Sequence, residues 1–137
     1  MQNEKPILLV EDDEIDVMTV KRALKEIKVS NPVVVAGNGE EALEYLNNCK
    51  YDKPYIILLD INMPRMNGIE FLRISKQESN IRKIPVIVLT TSKEEQDIVE
   101  SYDLGVSGYM IKPVDYGQFV DTLRAIDMYW KLCKLPV

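Results

Sequence analysis

Histidine is missing altogether from the 137 residues. Its absence excludes serine, cysteine and zinc chemistry built on imidazole, and means that this chain cannot itself carry a phosphohistidine. Cysteine is scarce: Cys49 and Cys133 lie far apart and fit neither a metal motif nor a disulfide framework, so both read as reduced thiols. Long apolar stretches are lacking too. The longest is the five-residue YIILL, far short of the ~20 residues that cross a bilayer, and the opening MQNEKP has no secretory character, so a cytoplasmic protein is expected. A net charge of −5 argues against nucleic-acid binding, which draws on clustered Lys and Arg. Carboxylates, hydroxyls and lysines are left to carry any chemistry.

What is present is the composition of a soluble globular domain, 46% hydrophobic and 28% charged, at a length that favours one domain over residues 1–137. Five apolar runs read as buried strands: ILLV (7–10), VVVA (33–36), YIILL (55–59), VIVL (86–89) and GYMI (108–111). Helical patterns alternate with them. Val17, Val20, Leu24 and Ile27 form one stripe, with Lys21, Arg22, Lys25 and Lys28 outside it. A second helix fits GEEALEYLNN, and a third follows Gly68 through Ile69, Leu72 and Lys76. A fourth is expected from SKEE, where Ser92 and Glu95 have the spacing of a capping box, and a fifth from about Asp115 into the thirties. Strand and helix alternating five times predict an α/β fold, a parallel sheet with helices on both faces.

In such a sheet ligands bind beyond the carboxyl ends of the strands, where strand order reverses. Glu11, Asp12 and Asp13 follow the first run, Asp60 follows YIILL, Thr90, Thr91 and Ser92 follow VIVL, and Lys112 follows GYMI. Helix amino ends at the same edge favour anions such as phosphate. Converging carboxylates repel one another and call for a cation, and a hard oxygen site with few protein ligands suits Mg²⁺, which shares its shell with phosphate oxygens. Asp60 can then act as a nucleophile toward a phosphoryl group, with Lys112 and Thr90 neutralising charge on the transferring oxygens.

The segments ILLVEDD, LLDINMPRMNG, VIVLTTS and GYMIKP resemble, in order and spacing, the four signatures of the response-regulator receiver domain of two-component signalling, over nearly the whole chain. The resemblance implies a flavodoxin-like five-stranded sheet of order 2-1-3-4-5 and no output domain. It implies that Asp60 is the phosphoacceptor, that Asp12, Asp60 and the Asn62 carbonyl hold Mg²⁺, and that Glu11 supports the ion through water. It further implies that Thr90 is the switch hydroxyl, Tyr109 the switch aromatic, and Lys112 the phosphate-binding lysine, before a cis peptide to Pro113. A sensor histidine kinase is the implied donor, contacting Ile15, Met18 and the loop at Pro113. SYDLGVSGYMIKP and DMYWKLCKLP are similar to the small stand-alone regulators of bacterial phytochrome kinases. Glu11 in place of the commoner Asp, and Thr91 in place of a smaller residue, are departures that bear on the lifetime of the phosphoryl group.

Other readings compete. Asp13 and Ser92 suit helix caps, and Pro64 and Gly68 suit turns. A phosphatase of the haloacid dehalogenase type would want a second Asp where Asn62 stands, and a flavin or nucleotide binder would not place EDD after its first strand. A degenerate receiver that only scaffolds would lack the Asp, the Thr or the Lys. In the last helix Phe119, Leu123, Ile126, Trp130 and Cys133 form a stripe that packing explains in its first half. Trp130, Leu132 and Leu135, with Met128 and Tyr129 beside them, read as running past the core into a surface for a homodimer or a partner.

Overall fold

The computed structural model describes residues 5–132. Five strands alternate with five helices: β1 (Ile7–Val10), α1 (Glu14–Glu26), β2 (Val33–Ala36), α2 (Gly39–Asn47), β3 (Ile56–Leu59), α3 (Gly68–Ser75), β4 (Val86–Thr90), α4 (Glu95–Asp103), β5 (Gly108–Ile111) and α5 (Tyr116–Leu132). The strands form one parallel sheet in the order β2-β1-β3-β4-β5. Each apolar run became a strand: the central β1, β3 and β4 are buried on both faces, and the edge strands β2 and β5 are partly buried. The alternation of side chains then divides the core in two. Leu8, Val10, Ile57, Leu59, Val86 and Val88 pack beneath α2 and α3, around Leu46, Phe71 and Leu72. Ile7, Leu9, Ile56, Leu58, Ile87 and Leu89 pack beneath α1 and α5, around Leu24, Phe119, Leu123 and Trp130.

Local chemistry sets most helix starts. Asp13 caps α1 by accepting from the Ile15 and Asp16 amides, and Asn38 caps α2 by accepting from the Glu41 amide. Asn67 and Glu70 close a full capping box at α3. Helix α4 is the exception. It starts at Glu95 behind Glu94, which makes no side-chain cap, so the expected Ser92/Glu95 box does not form. Ser92 Oγ instead accepts from the Glu94 amide and donates to Asp97 Oδ2, which commits it to the loop before the helix.

Two further expectations are corrected. Trp130 is buried against the sheet with Ile126 rather than standing beyond the core. Helix α5 is long enough to lay its last turns along that face, leaving Met128, Tyr129 and Leu132 exposed. The peptide bond before Pro113 is trans, as are all described peptide bonds, the isomer an X–Pro bond favours by about 0.5–1 kcal/mol. Leu135 and Cys133 lie outside the described residues. Cys49 is a free, exposed thiol.

Gly68 is needed for closeness rather than for turning. A Cβ there would stand 2.6 Å from the Asp60 carbonyl oxygen and 2.8 Å from Ile61 Cα, where the first turn of α3 crosses the end of β3. Its amide closes the β3–α3 loop by donating to the Ile61 carbonyl at 3.0 Å. Replacing Gly68 by Ala is expected to cost about 1–3 kcal/mol, the range for overpacking, and to displace the backbone at Asp60. A urea melt with an unchanged slope and a lower midpoint is the expected result.

Candidate functional site

Strand order reverses between β1 and β3: the chain leaves β1 toward β2 and leaves β3 toward β4, so the loops after the two strands diverge and open a crevice. The ladder continues one residue beyond each strand. The Glu11 amide donates to the Ala36 carbonyl at 2.9 Å and the Asp60 amide to the Val10 carbonyl at 3.0 Å. Both carboxylates are therefore placed by the sheet. On the far side of β3, Thr90 closes β4 paired with Ile111, one residue longer than the apolar run suggests. The Lys112 amide then donates to the Thr90 carbonyl at 2.8 Å, which sets the lysine beside the threonine at the same edge.

Glu11, Asp12 and Asp60 each offer a carboxylate oxygen, and the three oxygens lie within 4.8 Å of one another. Glu11 and Asp60 are buried and Asp12 is exposed, so the cluster opens outward through Asp12. Asp60 Oδ1 is buried with no hydrogen-bond partner. An orphaned buried carboxylate oxygen facing two further acids fits a hard divalent cation, and the all-oxygen donor set excludes a soft-metal site. Asn62, two residues beyond Asp60, is exposed and lines a cleft with Pro64, Asn67 and Asp97.

One ammonium answers these acids. Lys112 Nζ donates to Glu11 Oε1 at 2.5 Å and to Asp16 Oδ2 at 3.0 Å, with 8% of its side chain exposed. Burial pulls the lysine toward neutrality, but its hydrogen bonds to Glu11 and Asp16 and the charge of Asp60 outweigh this and hold it protonated above the usual lysine range. Burial, with repulsion from Asp60, lifts Glu11 to about 7 despite the opposing pull of Lys112. Glu11 and Asp16 share this one ammonium, and among the described residues Asp60 has no ion pair with it.

The hydroxyls form a second layer. Thr90 is fully buried, and its Oγ1 accepts from the Ser92 amide at 3.3 Å. Tyr109, half-buried, donates its hydroxyl to the Ser92 carbonyl at 3.1 Å. Glu11, Asp12, Asp60 and Lys112 are brought together, while the Tyr109 hydroxyl is bonded to the Thr90–Ser92 loop and feels the charge of Asp60 without bonding to it. Asp16 is the residue that sequence reasoning missed. Its available signal was an acid in the first turn of a helix that begins at the acidic loop, one position before the apolar stripe.

A family model of the response regulator receiver domain matches residues 7–124. Response regulator Rcp1 of Synechocystis sp. is 35% identical over 130 residues, covering 92% of this chain and 88% of its own length. The phosphorylated cyanobacterial phytochrome response regulator RcpA is similar in structure, with a TM-score of 0.91 and 36% identity, covering 98% of this chain and all of that one. The Mn²⁺-bound form of Rcp1 superposes with a TM-score of 0.87 at 33% identity, covering 97% and 99% of the two chains.

A cation bound in this acidic cluster would stabilise the fold by mass action. At a hundredfold excess over Kd, Mg²⁺ or Mn²⁺ should add about 2.7 kcal/mol and raise the melting midpoint, reversibly on adding EDTA. Asp12→Asn should weaken that response by roughly tenfold or more in cation concentration. A midpoint indifferent to both ions would sink the assignment.

Proposed function

The chain belongs to the response-regulator receiver family, and on that premise we propose that it is a stand-alone switch that takes a phosphoryl group from a kinase phosphohistidine onto Asp60. The observation that carries this reading is Asp60 itself, buried at the end of β3 with an unpartnered Oδ1 beside Glu11 and Asp12. A carboxylate that served only the fold would have spent that oxygen on a hydrogen bond. The single-domain reading, over residues 1–137, is supported by relatives of matching length.

In the transfer, a carboxylate oxygen of Asp60 forms the new bond to phosphorus, and the bond from phosphorus to the donor imidazole nitrogen breaks with its electron pair returning to that nitrogen. Asp12, Asp60 and the Asn62 carbonyl are the proposed holders of Mg²⁺, with Glu11 supporting it through water; when bound, the ion offsets charge on the phosphoryl oxygens. Lys112 supplies a fixed ammonium at the same edge, and Thr90 supplies a hydroxyl able to donate to a phosphoryl oxygen after giving up its bond from the Ser92 amide. Tyr109 follows Thr90, because both hold the same loop residue. The chain thereby promotes its own phosphorylation and dephosphorylation and has no separate substrate to turn over.

Ile15, Met18 and Val114 are exposed apolar residues around the edge of the site, a surface suited to the kinase. The donor proposed is a sensor kinase of the bacterial phytochrome type, in the cytoplasm, with no part for nucleic acid. Among the described residues no helix is long and apolar enough to cross a membrane. The exposed Met128, Tyr129 and Leu132 on α5 are the face proposed for a homodimer.

Intact mass after incubation with acetyl phosphate tests the reading. A single phosphoryl adduct that needs Mg²⁺ and is absent from Asp60→Asn is expected, and Thr90→Ala should slow its formation or its loss. If Asp60→Asn gains the same adduct, the acceptor is another residue.

A further inference from the structure

Lys112 faces three acids but touches only two of them. Its ammonium is bonded to Glu11 and Asp16, and among the described residues no ion pair within 4.0 Å joins it to Asp60. The two partners differ in one decisive respect. The Glu11 side chain is 2% exposed and the Asp16 side chain 39%. Leaving Glu11 unpaired would strand a charge away from water, whereas Asp16 can exchange the ammonium for water at small cost. Asp16 is also well placed to stand alone. It lies in the first turn of α1, its amide donating to the capping Asp13 carboxylate at 3.2 Å, where the helix dipole favours a negative charge.

We propose that Asp16 is a positioning residue, a releasable tether that holds the Lys112 ammonium on the α1 side of the site until a phosphoryl group on Asp60 draws it away, with Glu11 as the pivot that keeps hold of it. A phosphoryl group carries more negative charge than one carboxylate, so it wins this competition. Asp16 nevertheless sets how much of the attraction is spent on winning. The inference rests on Asp60 as acceptor, and the test separates the two.

The full-length chain is titrated with beryllofluoride, a stand-in for the phosphoryl group, at saturating Mg²⁺, with binding followed by fluorine NMR. Asp16→Asn keeps the shape of the side chain and removes its charge, and should bind beryllofluoride about two- to fivefold more tightly than wild type, the scale of a partly exposed ion pair. Asp13→Asn makes the same charge change one turn away, keeps the cap and does not touch Lys112. It should move the affinity by less than half as much on a logarithmic scale. Affinity for Mg²⁺ alone should change equally in the two variants, which a general loss of negative charge explains. Equal gains in beryllofluoride affinity for both, no gain for Asp16→Asn, or weaker binding would each overturn the tether. Asp16→Ser, which also removes the charge, gives the same readings if the Asn variant folds poorly. Failure of wild type to bind beryllofluoride, or binding retained in Asp60→Asn, would remove the Asp60 reading and the tether with it.

Discussion

The carboxyl edge of this sheet depends on the ammonium of Lys112, which is bonded to the buried Glu11 and to Asp16. Glu11 and Asp60 are buried side by side, and without a cation between the strand ends their charges would be paid in repulsion and lost hydration. Removing one member of a buried ion pair typically costs about 3–5 kcal/mol, a large part of the 5–15 kcal/mol by which a domain is stable. The lysine does not neutralise the cluster. Glu11 remains lifted to about 7, with burial as the main cause and Asp60 adding to it. What the geometry does supply is three carboxylate oxygens within 4.8 Å of one another, a donor set suited to a hard divalent cation.

That edge is assembled by the sheet rather than by its loops. Parallel strands deliver all of their carboxyl ends to one side, and the continued ladder fixes the first residue after β1, β3 and β5 almost as firmly as a strand residue. Gly68 lets α3 close against the end of β3, and Gly39 lets α2 approach Met66 in the β3–α3 loop, where a Cβ would stand 2.7 Å from Met66 Cγ. Arg65, with φ of 59°, takes a left-handed conformation after Pro64, so the loop turns at a position that few side chains accept. Closeness at two glycines and one uncommon dihedral hold the chain around Asp60.

The strands, the helices and the main acids were legible because burial on both faces leaves continuous apolar runs, and because polar residues at their ends have few structural reasons to converge. Asp13 was legible as a cap, and proved to be one. Features that depend on distances between elements were not. Ser92 and Glu95 had the spacing of a capping box, but Ser92 spends its hydroxyl on Asp97 and the Glu94 amide. Trp130 looked surplus to a core whose depth no local pattern reveals. Asp16 became visible only when the lysine 96 residues further along was found against it.

Hydrogen-bond energies limit how far one phosphoryl group can move the protein. Helix α4 is lightly held, with Ser101 as its one buried residue and no side-chain cap. Its leading loop is pinned by the Thr90–Ser92 and Tyr109–Ser92 hydrogen bonds and by the Ser92–Asp97 contact. Each neutral bond contributes about 1 kcal/mol net, whereas a bond from Thr90 to a charged phosphoryl oxygen contributes roughly 1.5–3 kcal/mol. On the proposed mechanism the exchange gains about 0.5–2 kcal/mol, a roughly twofold to thirtyfold shift in population, short of the 5.5 kcal/mol needed to turn a state from rare to dominant. The remainder has to come from whatever binds the altered α4 and Tyr109 surface. Partner affinity and phosphorylation are then linked in both directions, and a partner selective for the switched form must also favour the phosphorylated protein.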